Sequence, residues 1–295
     1  MDLWAKIGAD IGAWTGIPCT PGRPRSLGGG CINQSWVLSD GRRQFFVKLN
    51  DAHRLDMFQA EAEGLAELAQ AGAFRVPAAL GTGSQGSQAY LVLEYIELNS
   101  GRGAGPADAG RCLAQLHRRV AAGFGWRRDN YIGATPQPNG QDTDWARFWA
   151  QRRLGFQLQL AARNGHGGPL RSQGERLLER LPALLDHAPP PSLLHGDLWG
   201  GNLGYAPDGQ PVIYDPAVYY GDREADLAMT ELFGGFPPAF YAAYRDAWPL
   251  DPGYGVRRTL YNLYHILNHL NLFGGGYSRQ ALGMIEQLLA ELGSR

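Results

Sequence analysis

The sequence predicts an α+β protein in which a small sheet-rich part precedes a larger, mostly helical one. Alternating apolar stretches cluster before residue 95, and helical periodicity dominates beyond residue 106. Between them the stretch Asn99-Ser100-Gly101-Arg102-Gly103-Ala104-Gly105-Pro106 is the clearest break in composition. We expect a boundary between Tyr95 and Gly105, giving domains 1–98 and 99–295.

Trp36-Val37-Leu38 and Gln44-Phe45-Phe46-Val47-Lys48-Leu49 read as two strands joined by a hairpin at Asp40-Gly41. A helix should follow, because Asp56 and Gln59 have capping-box spacing and Phe58, Ala62, Leu65 and Ala69 recur along one face. A third strand, Ala89 to Leu93, runs into Glu94-Tyr95-Ile96. Pro106 is suited to open the next helix. Helices are expected over 107–117, 144–162, 173–187, 224–233, 238–244, 256–272 and 278–292, interrupted by a strand pair at Leu203-Gly204-Tyr205 and Pro211-Val212-Ile213-Tyr214.

At 295 residues the chain can form two lobes sharing a cleft. Its 27 basic and 28 acidic side chains nearly cancel, so the broad positive field that attracts nucleic acid is missing and small partners are expected. Cys19, Cys31 and Cys112 are too few for a disulfide framework, which points to a reducing compartment, the cytoplasm. The apolar stretch Ala89 to Ile96 is interrupted by Glu94, and neither a signal peptide nor a membrane span is expected. Monomer and weak dimer stay equally open.

The chemistry is concentrated in Leu194-His195-Gly196-Asp197-Leu198-Trp199-Gly200-Gly201-Asn202, with Asp215 thirteen residues further on at the end of a strand. An aspartate, an asparagine five residues later and a second aspartate are what phosphoryl transfer needs. Asp197 can orient an attacking hydroxyl and accept its proton; Asn202 and Asp215 offer hard oxygens to Mg2+. Dispersed histidines and unpaired cysteines give no zinc pattern. Lys48, on its alternating strand, can meet phosphate oxygens of ATP, with Glu61 on the following helix as its anchor and Glu63 as the competing partner. Gly28-Gly29-Gly30-Cys31-Ile32-Asn33 should be a tight turn whose amides approach phosphates, although it is neither a Walker loop nor a dinucleotide fingerprint. Backbone groups of Glu94, Tyr95 and Ile96 are candidates to pair with adenine. On this reading 1–98 is the nucleotide-binding lobe and 99–295 the catalytic and acceptor-binding lobe.

These residues together resemble the protein-kinase-like superfamily, and within it the fructosamine kinase (ketosamine 3-kinase) family. Besides the segments already named, the resemblance rests on Glu61-Ala62-Glu63-Gly64-Leu65, on Asn130-Tyr131-Ile132-Gly133-Ala134-Thr135-Pro136-Gln137 and on the run from Asp215 to Met229, and it extends from near Trp4 to Leu289. It implies a protein-kinase-like two-lobed fold and ATP-dependent phosphorylation of the third-carbon hydroxyl of ketosamines, free or on glycated protein, whose product then breaks down to free the amine. It also implies that Asp197 is the base, that Asn202 and Asp215 bind magnesium, and that Glu61 anchors the phosphate contact Lys48. Trp199 stands two residues after the aspartate where many protein kinases have lysine, and Asp215-Pro216-Ala217 replaces Asp-Phe-Gly, so a mobile switch of that kind is not expected.

Trp199, Tyr219, Tyr220, Asp222 and Glu224 are candidates to contact a hydroxyl-rich acceptor, with core packing as the rival role for the two tyrosines. Trp145, Phe148, Trp149 and Arg152 fit either a face lining the cleft or the core. Cys31 is a candidate redox residue, because cationic surroundings in a phosphate loop would lower its pKa and oxidation would obstruct ATP; an ordinary buried thiol is the other reading. The phosphate machinery alone also suits an aminoglycoside, choline or homoserine kinase. A non-catalytic nucleotide-binding protein is the alternative of another class, which retention of Lys48, Asp197, Asn202 and Asp215 opposes.

Overall fold

The computed structural model describes residues 2–28, 32–99 and 105–293. Two compact units emerge: Met1–Ala104 with Gly204–Asp215, and Gly105–Leu203 with Pro216–Arg295. Residues 204–215, which the sequence pattern groups with the helical part, thus belong by contact to the first unit.

The first unit opens with α1 (Leu3–Thr15), capped by the Asp2 carboxylate at the Trp4 amide and ended by Gly16 at φ 70°. It continues with β1 (Arg25–Leu27), β2 (Gln34–Ser39), β3 (Gln44–Asp51), α2 (Leu55–Gln70), β4 (Ala79–Gln85) and β5 (Gln88–Glu94). The strands form one antiparallel sheet in the order β1-β2-β3-β5-β4. Ile7 and Ile11 of α1 pack with Leu38, Phe45, Val47, Leu49, Tyr90 and Val92, which are all buried. Because successive side chains of a strand alternate, Lys48 points to the opposite face of β3 from Val47 and Leu49, the face carrying α2. The expected capping box is not formed. Asp56 lies inside the first turn of α2, and Arg54 occupies the cap position without capping the helix through its side chain, because a short 3-10 turn at Ala52–Arg54 feeds the helix directly.

The second unit begins with α3 (Pro106–His117), a hairpin of β6 (Asn130–Ile132) and β7 (Thr135–Gln137), then α4 (Trp145–Phe148), α5 (Gly155–Arg163), α6 (Pro169–Arg180) and β8 (Ser192–Leu194). Between α4 and α5 the helix widens to π geometry over Trp149–Leu154, turning Trp149, Arg153 and Leu154 inward. The predicted helix 173–187 instead starts at Pro169 and stops at Arg180, where Pro182 removes a backbone donor and a 3-10 turn follows. The chain next contributes β9 (Leu203–Tyr205) and β10 (Pro211–Ile213), a hairpin fastened to the first unit by Asn99 N–H to Tyr205 O (2.8 Å) and by Arg75, which bridges to Val212. It ends in the second unit with β11 (Tyr219–Gly221), paired with β8, and with α7 (Glu224–Leu232), α8 (Pro238–Ala247), α9 (Tyr254–Phe273) and α10 (Tyr277–Gly293). α9 is buried along most of its length and packs against α5, α7 and α10. No helix among the described residues is long and apolar enough to cross a membrane.

Candidate active site

In the first unit the site is built around a buried cation. Lys48 Nζ donates to Glu61 Oε1 at 2.5 Å and to Asp215 Oδ1 at 2.6 Å, and the residue is 3% exposed. Glu61, rather than Glu63, reaches this lysine. Burial opposes the ammonium, but the Asp215 and Glu61 carboxylates outweigh it and hold the Lys48 pKa above the ordinary lysine range. Two carboxylates share one cation, so the surplus charge is negative. Burial and the nearby Asp215 therefore push the Glu61 carboxyl upward against the pull of Lys48. Asp215 has φ 58°, the one non-glycine residue in the left-handed region among those described, and its side chain is 47% exposed.

The loop before β2 is tied to β3 by Asn50, whose Nδ2 donates to Ile32 O (3.0 Å) and Asn33 Oδ1 (2.7 Å). A Cβ at Gly28 would meet nothing within 4 Å. Gly29, Gly30 and Cys31 lie outside the described residues. Glu94 closes β5; its amide donates to Ala78 O at 2.8 Å, and its carboxylate accepts from Arg75 and from the Ala78 amide. The Glu94 amide is thereby engaged within its own unit, and Tyr95 and Ile96 follow as half-buried chain beyond the strand.

In the second unit the site is built on backbone. β8 delivers His195 and Gly196 to the loop carrying Asp197. Gly196 is left-handed (φ 83°), and a Cβ there would sit 2.0 Å from Ala217 O, so no other residue fits. Asp226, in the first turn of α7, accepts the amides of His195 (2.7 Å) and Gly196 (2.8 Å) and faces His117 Nε2 at 3.2 Å. Burial works against its charge, but the His117 contact and the amide bonds prevail, and its pKa lies below the ordinary aspartate range. Burial pushes His117 the other way, toward the neutral form. Since Asp226 can only accept, Nε2 of the neutral ring carries the proton and Nδ1 accepts from the Tyr244 hydroxyl (2.9 Å). Asn202 Nδ2 donates to Asp197 O at 2.8 Å and lies 3.4 Å from Asp197 Oδ2, so a cation would meet the oxygen side of this amide. Trp199 folds back over Gly201, where a Cβ would stand 2.4 Å from the indole.

A buried polar network supports that loop from behind. Gln137 Nε2 donates to Ala217 O (3.0 Å), the carbonyl against which Gly196 packs, and Asn130 Nδ2 donates to Val218 O (2.8 Å). Ala217 N–H in turn reaches His195 O at 2.9 Å. Tyr264 OH holds Gln137 Oε1 (2.7 Å), while Arg153 Nη2 reaches Asn139 Oδ1 (2.6 Å) and its guanidinium stacks 4.0 Å from the Tyr219 ring centre.

Burial separates the acceptor candidates. Asp222 and Glu224 are each 1% exposed and Tyr219 is 2%. Asp222 accepts from His187 Nε2 (2.7 Å) and Tyr261 OH (2.5 Å), and Glu224 takes a two-pronged bond from Arg257 (2.6 and 2.9 Å). Direct contact with an acceptor does not fit these three residues. His187, Asp222 and Glu224 are close enough to suggest a metal centre, yet Arg257 and Tyr261 already occupy the carboxylates. Tyr220 is half-buried and exchanges backbone bonds with Gly125. Trp199, at 39%, is open to solvent. Trp145, Phe148 and Trp149 are core residues, whereas Arg152 is exposed.

The anchoring role of Asp226, the His117 contact and the amide network were not foreseen from the sequence. In the sequence Asp226, Asn130 and Gln137 stand only as parts of the family motifs, with nothing local to mark their partners.

The fructosamine kinase family profile matches residues 3–291. A provisionally named ketoamine kinase of Synechocystis sp. is 50% identical over 288 residues, covering 97% of each chain. A chloroplastic protein-ribulosamine 3-kinase of Arabidopsis thaliana is 41% identical over 275 residues, covering 90% of this chain and 82% of its own. The crystal structure of a provisionally named fructosamine-3-kinase from Haemophilus somnus superposes with a TM-score of 0.90 at 31% identity, over 97% of both chains. An aminoglycoside phosphotransferase solved with AMP-PNP and hygromycin B shares the fold alone, with a TM-score of 0.62 at 15% identity over 97% of this chain and 98% of its own. The chain has the α+β fold of these kinase-like phosphotransferases, and it belongs to the fructosamine kinase family.

Proposed function

We propose that the protein is an ATP-dependent ketosamine 3-kinase, transferring the terminal phosphoryl group of ATP to the third-carbon hydroxyl of a fructosamine, ribulosamine or related sugar adduct of an amine. The observation that carries the phosphoryl-transfer part is the buried Lys48 held between Glu61 and Asp215. A sequestered ammonium with a fixed anchor is the arrangement phosphate contact requires. Family membership supports the choice of acceptor.

Each residue has a distinct task in this reading. Lys48 meets phosphate oxygens and Glu61 fixes its position. The loop ending at Asn33 covers the phosphates, and Tyr95 and Ile96 take the base through their backbone. Asn202 and Asp215 are hard oxygen donors of the kind magnesium prefers, and they are assigned to hold it. Magnesium bound there supplies positive charge to the phosphate oxygens during transfer. Asp197 orients the acceptor hydroxyl and takes its proton as the oxygen attacks the terminal phosphorus and ADP leaves. Trp199 offers its exposed face to the sugar. The product, a ketosamine 3-phosphate, then breaks down and frees the amine, which makes the activity a repair of glycated amines. The low cysteine count supports cytoplasmic residence.

The test is a turnover panel of free ketosamines, ribulosamines, glycated peptides and aminoglycosides, with the phosphate located on each product. Phosphate on the third carbon of the sugar adduct is expected. Exclusive phosphorylation of aminoglycosides would overturn the acceptor, and ATP binding without turnover of any acceptor would overturn the enzyme.

A further inference from the structure

An aromatic strip runs along the second unit from Trp199 to Tyr277. Trp199 meets Phe233 edge-on with ring centres 6.4 Å apart, and Phe233 lies 4.7 Å from His269. His269 is in turn 5.6 Å from Phe273 and 5.3 Å from Tyr277. Four separate pieces of chain supply these rings: the loop after β8, the end of α7, the last turns of α9 and the first residue of α10. Gly274 and Gly275, both at φ 67°, reverse the chain after α9 and bring Tyr277 back onto His269.

Core packing does not account for the strip. Trp199 is 39% and Phe273 51% exposed, while Phe233, His269 and Tyr277 are only partly covered. His269 Nδ1 lies 2.8 Å from His265 O, which can only accept, so Nδ1 carries the proton and Nε2 presents a lone pair. Burial pushes the ring toward its neutral form.

We infer that this strip receives the amine-bearing arm of a protein- or peptide-bound ketosamine, an inference that rests on the function proposed above. Such an acceptor has two halves. The sugar must bring a hydroxyl to Asp197, and the carrier is joined to it through a secondary amine that is protonated at neutral pH. The strip begins two residues from Asp197, so a sugar held there by Trp199 extends its carrier across Phe233 and His269 toward Phe273 and Tyr277. Aromatic faces attract a cation through their quadrupole and cover methylene groups at the same time. The bare Nε2 of His269 adds an acceptor for an ammonium proton. Open, flat faces tolerate many flanking sequences, as an enzyme acting on scattered glycated lysines would require.

The test compares the parent enzyme with Phe273→Ser, Tyr277→Ala and Phe273→Tyr on two acceptors, a hexapeptide bearing fructosyl-lysine and the carrier-free adduct fructosyl-methylamine. KM for the peptide should rise about fivefold in Phe273→Ser and in Tyr277→Ala, the loss expected when about one methylene of the carrier arm loses its aromatic cover; the ammonium, common to both acceptors, adjoins the sugar and is left to the rings nearer Trp199. KM for fructosyl-methylamine and kcat for both acceptors should stay at parent values, and Phe273→Tyr should behave as the parent. Equal KM rises for both acceptors, or none for the peptide, would overturn the strip while leaving the kinase intact. Sedimentation showing a dimer that Phe273→Ser dissociates, with peptide KM unmoved, would assign the strip to a second copy of the chain and also overturn it. If the parent turns over neither adduct, the acceptor assignment itself falls, and the ligand named for the strip falls with it.

Discussion

Lys48 in the first unit is fixed by opposite charge, between Glu61 and Asp215, whereas Asp197 in the second unit sits on a loop fixed by backbone. The amides before Asp197 are clamped by Asp226, and the peptide behind it is held by the uncharged side chains Gln137 and Asn130. Ion pairing suits the phosphate contact proposed for Lys48, since a cation released from one anion can turn to another. Hydrogen bonding to backbone suits the role of base proposed for Asp197, in which direction matters more than the local charge.

Substitutions separate these two strategies. The largest effect is expected at the proposed base: Asp197→Asn should lower kcat by about 10³ while nucleotide affinity, read by titration with a fluorescent ATP analogue, stays unchanged. Equal turnover would remove Asp197 from its role. Next comes the clamp. Asp226→Asn places a donor against backbone donors in a buried site and should cost about 3 kcal/mol of unfolding free energy in urea. Stability within 0.5 kcal/mol of the parent, roughly the scatter of neutral surface changes, would show that backbone contacts beyond Asp226 hold the loop.

A smaller effect is expected where charge does the holding. Glu61→Gln leaves Asp215 on Lys48 and should lower kcat/KM for ATP about tenfold with kcat/KM for the acceptor at saturating ATP less affected, since an anchor rather than a reacting group is lost. An unchanged ATP dependence would make Glu61 a packing residue.

The smallest effect is a pH slope in the second unit. His265 is 4% exposed, and burial pushes its pKa down to about 3, with His269 adding in the same direction. The unfolded chain binds a proton near pH 6.5, but the folded one refuses it, so stability is complete above that pH and is lost as pH falls toward 3. The loss from this residue should be at most about 1.4 kcal/mol per pH unit. Urea unfolding of parent and His265→Leu between pH 7 and 4 checks the sign: the parent should lose stability more steeply. Parallel slopes would show that His265 is protonated in the fold.

Much of this was legible in the sequence, for local reasons. The hairpin at Asp40-Gly41 and the strand holding Lys48 announced themselves by alternation, and their register came out as β2 and β3. Asp197, Asn202 and Asp215 stand out as candidates by their spacing, and the structure brings Asn202 onto Asp197 and Asp215 onto Lys48. What stayed hidden depends on contacts distant in the chain. The α1 helix is the exception, with a local signal in Leu3, Ile7 and Ile11 four residues apart between the Asp2 cap and the Gly16 stop. The three-residue strands β6, β7, β8 and β11 are too short for period two to register. Asp222 and Glu224 read as acceptor contacts because carboxylates suit a hydroxyl-rich sugar. Their partners His187, Tyr261 and Arg257 lie 33 to 39 residues away in sequence, beyond the reach of any local pattern.

The peptide after Asp215 is fastened at both of its polar edges, by His195 through the Ala217 amide and by Gln137 through the Ala217 carbonyl, and Pro216 restricts the step between. Turning that stretch over would break both bonds in one motion. Any off position at that point in the chain would have to give up both, so the output of the enzyme should follow how much damaged material and nucleotide reach it more readily than an instruction relayed from elsewhere.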